Sequence, residues 1–368
     1  MTTTYYPHPL DYVTGQKHTV TSEKLSTTFA ISPETFYVEE LVNFNELGFT
    51  RESGEYAVMK ITKKYVDTLR AIRVVSRKLN IPLSNILIMG LKDKNAFTVS
   101  YFFVKSTFIS KADFPVIDKN MYVELLGFTK KKPTRKHHLG NLFKLKLGAL
   151  SNKDLNVLEK VAKVAAEHGL ISYYGYQRFG YSRYNTHILG KYLLLGREDL
   201  FAHYFLKAAY PLEGFDIMFR RFLSKYSSLW YEDAYVDALL SHGLKVVVRA
   251  TRRMFIDAYA SYLFNLLLNN LVDKYGLEVL SNRVLPLPGC EDGIEYYREI
   301  VEHEGLNISV LKYMPCSKRP ALFKVKNSAI LKSNGNVIYE FILDSGMFAT
   351  VVLRELFKEN LVIPGQSN

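Results

Sequence analysis

Residues 85–105 read NILIMGLKDKNAFTVSYFFVK, and the parsing of this stretch decides the fold. NILIMG has the length and the glycine stop of a buried strand. AFTVSYFFVK, rich in β-branched and aromatic residues, reads as a second strand. Gly90–Asn95 is then a loop between two strands, where a rigid scaffold can present a side chain. In that loop Asp93 stands between Lys92 and Lys94. A solvated turn would satisfy these three residues. The sharper reading is a carboxylate held ionised by a nearby cation and aimed at a substrate.

Working outward, TFYVEELV (35–42) and GEYAVMKI (54–61) also read as strands. Between them and the loop, KKYVDTLRAIRVVSRKLN (63–80) reads as a helix. Tyr65, Leu69, Ile72, Val75 and Leu79 recur at three- and four-residue intervals, and Pro82 follows. A second helix fits 152–168, with Ser151 as N-cap, Asp154 three positions on and Gly169 at the C′ position. Residues 190–325 are richer in helix, as in TRRMFIDAYASYLFNLLLNNLVDKYG (251–276), and read as a separate unit. SAILKSNGNVIYEFIL (328–343) carries the hairpin signal Asn334-Gly335. A last helix is expected from Phe348 to Lys358.

The chain has 368 residues, beyond a single-domain prior, with 48% hydrophobic and 23% charged residues. No apolar run is long enough to span a membrane, and the first twenty residues lack an apolar signal core. Two cysteines, Cys290 and Cys316, make neither a disulfide framework nor a metal-binding spacing. The expectations are an intracellular, cytoplasmic protein with no membrane segment and no metal site. Forty-eight Lys+Arg against thirty-six Asp+Glu leave a net charge of +12, which suits a polyanionic partner. The densest basic segment is KKKPTRKHHLGNLFKLK (130–146), in which Lys131, Lys132, Arg135 and Lys136 are candidates for phosphate contact. YYGYQRFGYSRY (173–184) interleaves aromatic rings with Gln177, Arg178 and Arg183, a pattern suited to stacking on unpaired bases. Individually, Tyr173, Phe179 and Tyr181 read equally well as core.

These motifs carry a resemblance. MGLKDKNAFTVS resembles the G-x-K-D-K-x-A-x-T segment of the TruD family of tRNA pseudouridine synthases, in its archaeal and eukaryotic-like branch. SYYGYQRFG resembles that family's N-x-F-G-x-Q-R-F-G. Shorter matches follow in the same order along nearly the whole chain: SPETFYVEE, LGNLF (139–143), SYLFN (261–265), Arg319-Pro320 and GMFATVVLREL (346–356). The resemblance implies an α+β fold with a mixed, largely antiparallel sheet. The catalytic domain would be built from residues 1–189 and 326–368, with 190–325 as the family's inserted domain. It implies a cofactor-free isomerase that detaches uracil from its ribose, rotates it and rejoins it through carbon. tRNA is the implied partner, with uridine 13 the first expectation and uridine 35 the second, and a monomer is expected.

By the same resemblance Asp93 is the catalytic residue; Lys92, Lys94 and Arg178 are the candidates for the cation that keeps it charged, with binding of substrate phosphate open for both lysines. Tyr174 takes the family's phenylalanine position and is the first candidate for stacking on the target base. Gln177, Phe179, Asn141 and Phe143 join the substrate-binding candidates, with core packing open for both phenylalanines. Glu40 matches the family's F-x-V-x-E glutamate, with a structural bond and a substrate contact both open. Ser172 stands where the family has asparagine. Ala30 stands where relatives carry a lysine, so that either activity is lowered or the role passes to another basic residue such as Lys17 or Lys24. An RNA-binding protein with weakened catalysis on the same scaffold is the alternative. A carboxylate-pair glycosidase using Glu39, Glu40 or Asp257 conflicts with the basic charge.

Overall fold

The computed structural model describes residues 5–92, 94–109, 112–180, 183–207 and 244–364. The chain divides into a sheet unit, Thr27–Glu167 with Lys324–Met347, and a helical unit, Met1–Ser26 with His168–Phe323 and Phe348–Asn368. That grouping is one of packing, not of chemistry.

The sheet unit is built on β1 (Phe36–Val42), β2 (Tyr56–Lys63), β3 (Phe97–Lys105), β4 (Met121–Thr129), β5 (His138–Gly148), β6 (Lys326–Ser333) and β7 (Asn336–Asp344). Their order across the sheet is β6-β7-β5-β1-β3-β2-β4, and short strands extend it. β1 and β3 run parallel, while the other neighbours along this path are antiparallel. The fold is therefore α+β with a mixed, largely antiparallel sheet, as the family resemblance implies. The β6–β7 turn puts Asn334 and Gly335 at φ 48° and 76°, the left-handed pair that a tight hairpin requires.

Helix α1 (Thr68–Lys78) lays Ala71, Ile72 and Val75 on Ile61, Phe102 and Val123, and forms much of this unit's core. Fully burying each such aliphatic or aromatic side chain contributes roughly 1.5–3 kcal/mol. The helix begins later than its apolar spacing predicts. Asp67 caps it by accepting from the Arg70 N–H, and Tyr65, at φ 57°, is exposed ahead of it. The cap wins over the periodicity. NILIMG is likewise strand only at Leu87–Ile88. Helix α2 (Asn152–Glu167) follows Ser151, whose Oγ accepts from the Asp154 N–H at 3.1 Å.

In the helical unit, α3 (Thr186–Leu194) packs on α4 (Leu244–Tyr275), followed by α5 (Ile294–His303) and α6 (Ala349–Phe357). Buried Arg354 of α6 binds the N-terminal segment. Its Nε donates to Asp11 Oδ1 at 2.7 Å, Nη1 to His18 O at 2.9 Å and Nη2 to Gln16 O at 2.7 Å. Glu355 beside it accepts from the Val20 and Thr21 N–H groups. Cys290 and Cys316 form a disulfide, which the count of two cysteines did not suggest.

Candidate active site

Asp93 itself lies outside the described residues; the residue before it is fixed on three sides. Lys92 donates its N–H to Thr68 Oγ1 at 2.9 Å, and the Thr68 hydroxyl donates to the Lys92 carbonyl at 3.2 Å. Thr68 opens α1, so the loop's backbone is bound to a helix end. The Lys92 ammonium turns inward and donates to Glu40 Oε1 at 2.8 Å, with both residues buried. Glu40 Oε2 accepts from the Tyr101 N–H at 3.1 Å. Gly90 leaves the space: a Cβ there would lie 3.2 Å from the Lys92 ammonium. Lys94, by contrast, is exposed.

Strand register explains why Glu40 needs a cation. It shares a row with Phe36 and Val38, opposite Asn141, Phe143 and Leu145 of β5. A carboxylate in an apolar row must be paired or bonded. His138 comes within 3.8 Å of Glu40 Oε1 and its Nδ1 is 2.9 Å from Ser345 Oγ. Burial, then the Lys92 charge, lowers the His138 pKa below its ordinary value. Phe143 is buried in a stack with Phe36 and Phe341. Thr98 Oγ1 and Ser100 Oγ are buried without a hydrogen-bond partner among the described residues.

The basic segment of the same unit is exposed at Lys131, Lys132, Arg135 and Lys136. His137, within that segment, is buried, and its Nδ1 accepts from the Thr134 N–H at 3.1 Å. Ala30 is exposed and its carbonyl accepts from Thr35 Oγ1 at 2.6 Å. In the helical unit, Lys17 pairs with Asp273 at 2.7 Å and Lys24 pairs with Glu359, so each already has a carboxylate.

The aromatic–arginine motif of the helical unit is held from several elements. The Tyr173 hydroxyl donates to Asn269 Oδ1 at 2.6 Å, and the Tyr174 N–H donates to Asn265 Oδ1 at 2.8 Å, both on α4. Gln177 Oε1 accepts from the Thr350 hydroxyl at 2.8 Å. Gly175 is required because a Cβ would collide with Thr350 and Phe348. Phe179 is fully buried, edge-on to the His187 ring at 5.0 Å. Half-buried Arg178 donates Nε to Ser261 Oγ at 2.9 Å, and burial lowers its pKa from the ordinary guanidinium value. Half-buried Tyr174 has the Arg319 guanidinium 4.3 Å from its ring centre, and Phe264 and Phe348 contact it edge-on. Of the sequence-nominated residues, the structure brings Lys92, Asn141 and Phe143 onto one sheet unit with Lys94 and the basic segment. Tyr174, Gln177, Arg178 and Phe179 belong to the helical unit.

Residues 14–284 match the sequence model of the family described as tRNA pseudouridine synthase D (TruD). The chain belongs to the TruD family. A protein of Saccharolobus solfataricus named a probable tRNA pseudouridine synthase D is 29% identical, over 96% of this chain and 98% of that protein. The tRNA pseudouridine synthase D of Aquifex aeolicus is 27% identical, over 88% of this chain and 96% of its own length. The crystal structure of the Methanosarcina mazei TruD protein, 22% identical, superposes with a TM-score of 0.59 over 94% of this chain and 97% of that one. This last likeness speaks to the fold.

For this TruD-family chain, sequence reading misses the partners of the motifs. The Lys92–Glu40 bond had a signal, a charged residue at an inward position of an apolar strand. Arg319 over Tyr174 had none beyond a two-residue match. Among the described residues no group of His, Cys, Asp and Glu is arranged to hold a metal ion, and no helix is long and apolar enough to cross a membrane.

Proposed function

We propose that this chain isomerises uridine to pseudouridine in tRNA, with Asp93 as the catalytic carboxylate and uridine 13 as the first target. Membership of the TruD family makes it an isomerase of the pseudouridine synthase class. The observation that carries the role of Asp93 is the fixation of its neighbour, with both backbone groups of Lys92 bonded to Thr68 and its ammonium to Glu40. A loop held in this way can present the next side chain in a fixed direction. In the reaction the C1′–N1 bond breaks, the base turns, a C1′–C5 bond forms, C5 loses its proton and N1 gains one. Asp93 either attacks C1′ or removes a proton from C2′ and returns it. No electrons are exchanged with a cofactor.

In this reading Lys94, Asn141, Tyr174, Gln177 and Arg178 are substrate-binding residues for tRNA, while Lys131, Lys132, Arg135 and Lys136 take its phosphates. Residues 1–189 and 326–368 carry the chemistry, and 190–325 form the inserted domain. Extruding the base costs a few kcal/mol, which stacking and edge hydrogen bonds must offset. One observation favours the alternative, an RNA binder with weak catalysis: Lys17 and Lys24, which could stand in for the lysine missing at Ala30, are paired with Asp273 and Glu359.

Asp93→Asn tests the first reading, because it removes the charge and keeps the shape. Purified protein and unmodified tRNA should yield pseudouridine, mapped by chemical sequencing. The variant should yield none, with tRNA affinity nearly unchanged because phosphate contacts carry binding. Wild-type turnover by Asp93→Asn would remove Asp93 from the mechanism. No product from the wild-type protein on any tRNA would favour the RNA binder.

A further inference from the structure

We propose that Lys92 and Glu40 are a positioning pair for the catalytic loop, so that the lysine next to Asp93 orients the backbone and does not contact RNA. The inference rests on the assignment of Asp93 as the catalytic carboxylate.

Three elements converge on Lys92. Thr68, at the start of α1, takes both of its backbone polar groups, at 2.9 and 3.2 Å. Glu40, on β1, takes its ammonium at 2.8 Å. The other oxygen of Glu40 accepts the Tyr101 N–H at 3.1 Å, on β3, the strand that leaves the loop. The pair thus ties the residue before Asp93 to the strand after it. Lys92 is only 8% exposed, so its ammonium cannot meet a phosphate without breaking the bond to Glu40. Gly90 completes the device, because a Cβ there would lie 3.2 Å from the ammonium and press on it.

Stability alone accounts poorly for such a pair. Desolvation largely offsets the attraction of two buried charges, and apolar residues of similar size often hold a core as well. What apolar residues cannot do is fix direction. A catalytic group displaced by about 1 Å loses on the order of 100-fold in rate.

The test uses the full chain and an unmodified tRNA transcript, with four readouts: single-turnover rate at saturating protein, Kd, salt dependence of Kd, and melting temperature. The variants are Glu40→Gln, Lys92→Met, the two combined, and Gly90→Ala. The combined variant removes both charges, so it should melt near the wild type and bind tRNA with unchanged Kd and salt slope. Its rate should fall by about 10–100-fold. Each single variant should lose at least as much, and the losses should not add, because the two side chains act as one unit. Gly90→Ala, which keeps both charges but crowds the ammonium, should lower the rate without weakening binding.

A combined variant with wild-type rate overturns the proposal, because the pair would then be a replaceable piece of core. A combined variant that does not fold also overturns it, since the pair would hold the core and not the loop. If Lys92→Met instead weakens binding and flattens the salt dependence at unchanged saturated rate, Lys92 is a phosphate ligand. The Asp93→Asn control separates the two levels. If that variant is active, the assignment of Asp93 fails; if it is inactive while the pair variants keep full rate, only the positioning role fails.

Discussion

Arg319 lies buried with its guanidinium against the ring of Tyr174, and its Nε donates to the Ser172 carbonyl at 2.9 Å. A further nitrogen donates to the Tyr173 carbonyl at 3.3 Å. One planar cation therefore holds the backbone of the aromatic motif and a face of its half-buried tyrosine. Desolvation lowers its pKa from the ordinary value, but a guanidinium remains charged at any working pH. Lysine would keep the charge and lose both the planar stack and the fork. Arg319→Lys should lower unfolding free energy by about 2 kcal/mol, because charge-assisted hydrogen bonds and the ring stack both go. Denaturant unfolding checks this, and a variant as stable as the wild type would make Arg319 a bystander. The sequence marks position 319 only by the pair Arg319-Pro320. Stacking between residues far apart in a chain leaves no local pattern. Glu40 differs: its inward place among Phe36 and Val38 announces a cation, although not which one.

Elements were legible where local chemistry and tertiary packing agree. β1, β2 and β3 combine β-branched and aromatic residues with buried rows, so their strands fall close to the predicted spans. The Asn334-Gly335 hairpin follows from backbone chemistry alone. The start of α1 was misread because Tyr65 fits the apolar period, whereas Asp67 caps the helix two residues later. The basic segment before β5 is legible in composition, and the structure exposes Lys131, Lys132, Arg135 and Lys136. Replacing Lys131, Lys132, Arg135 and Lys136 with alanine should weaken binding to every tRNA alike. The slope of log K against log salt should become shallower by roughly 0.7–0.9 for each phosphate left without its cation. Equilibrium binding between low and moderate salt measures this, and an unchanged slope would assign the run to a solvated face that RNA does not touch.

For the whole molecule, the excess of positive charge was plain from composition, while the behaviour of the buried ionisable groups was not. A histidine's charge state depends on what covers it, and His187 shows the effect. It sits on α3 between the rings of Phe179 and Tyr262, and its Nδ1 has no partner among the described residues. Burial pushes its pKa down to about 3. In the unfolded chain the same ring titrates near 6.5, the ordinary value for histidine. Between these values the unfolded state binds a proton that the folded state refuses, so stability rises with pH across that interval. The contribution is complete above pH ~6.5 and is lost as pH falls toward about 3, at about 1.4 kcal/mol per pH unit. His8, His18 and His138 are shifted downward as well, each chiefly by burial, and steepen the same dependence. Denaturant midpoints should therefore fall steadily from pH 7 to pH 5. His187→Phe keeps a ring against Phe179 and Tyr262 and removes the titration, so it should reduce the slope of stability against pH by about one proton. If that variant retains the full wild-type slope, His187 is already protonated in the folded protein and burial does not govern its charge.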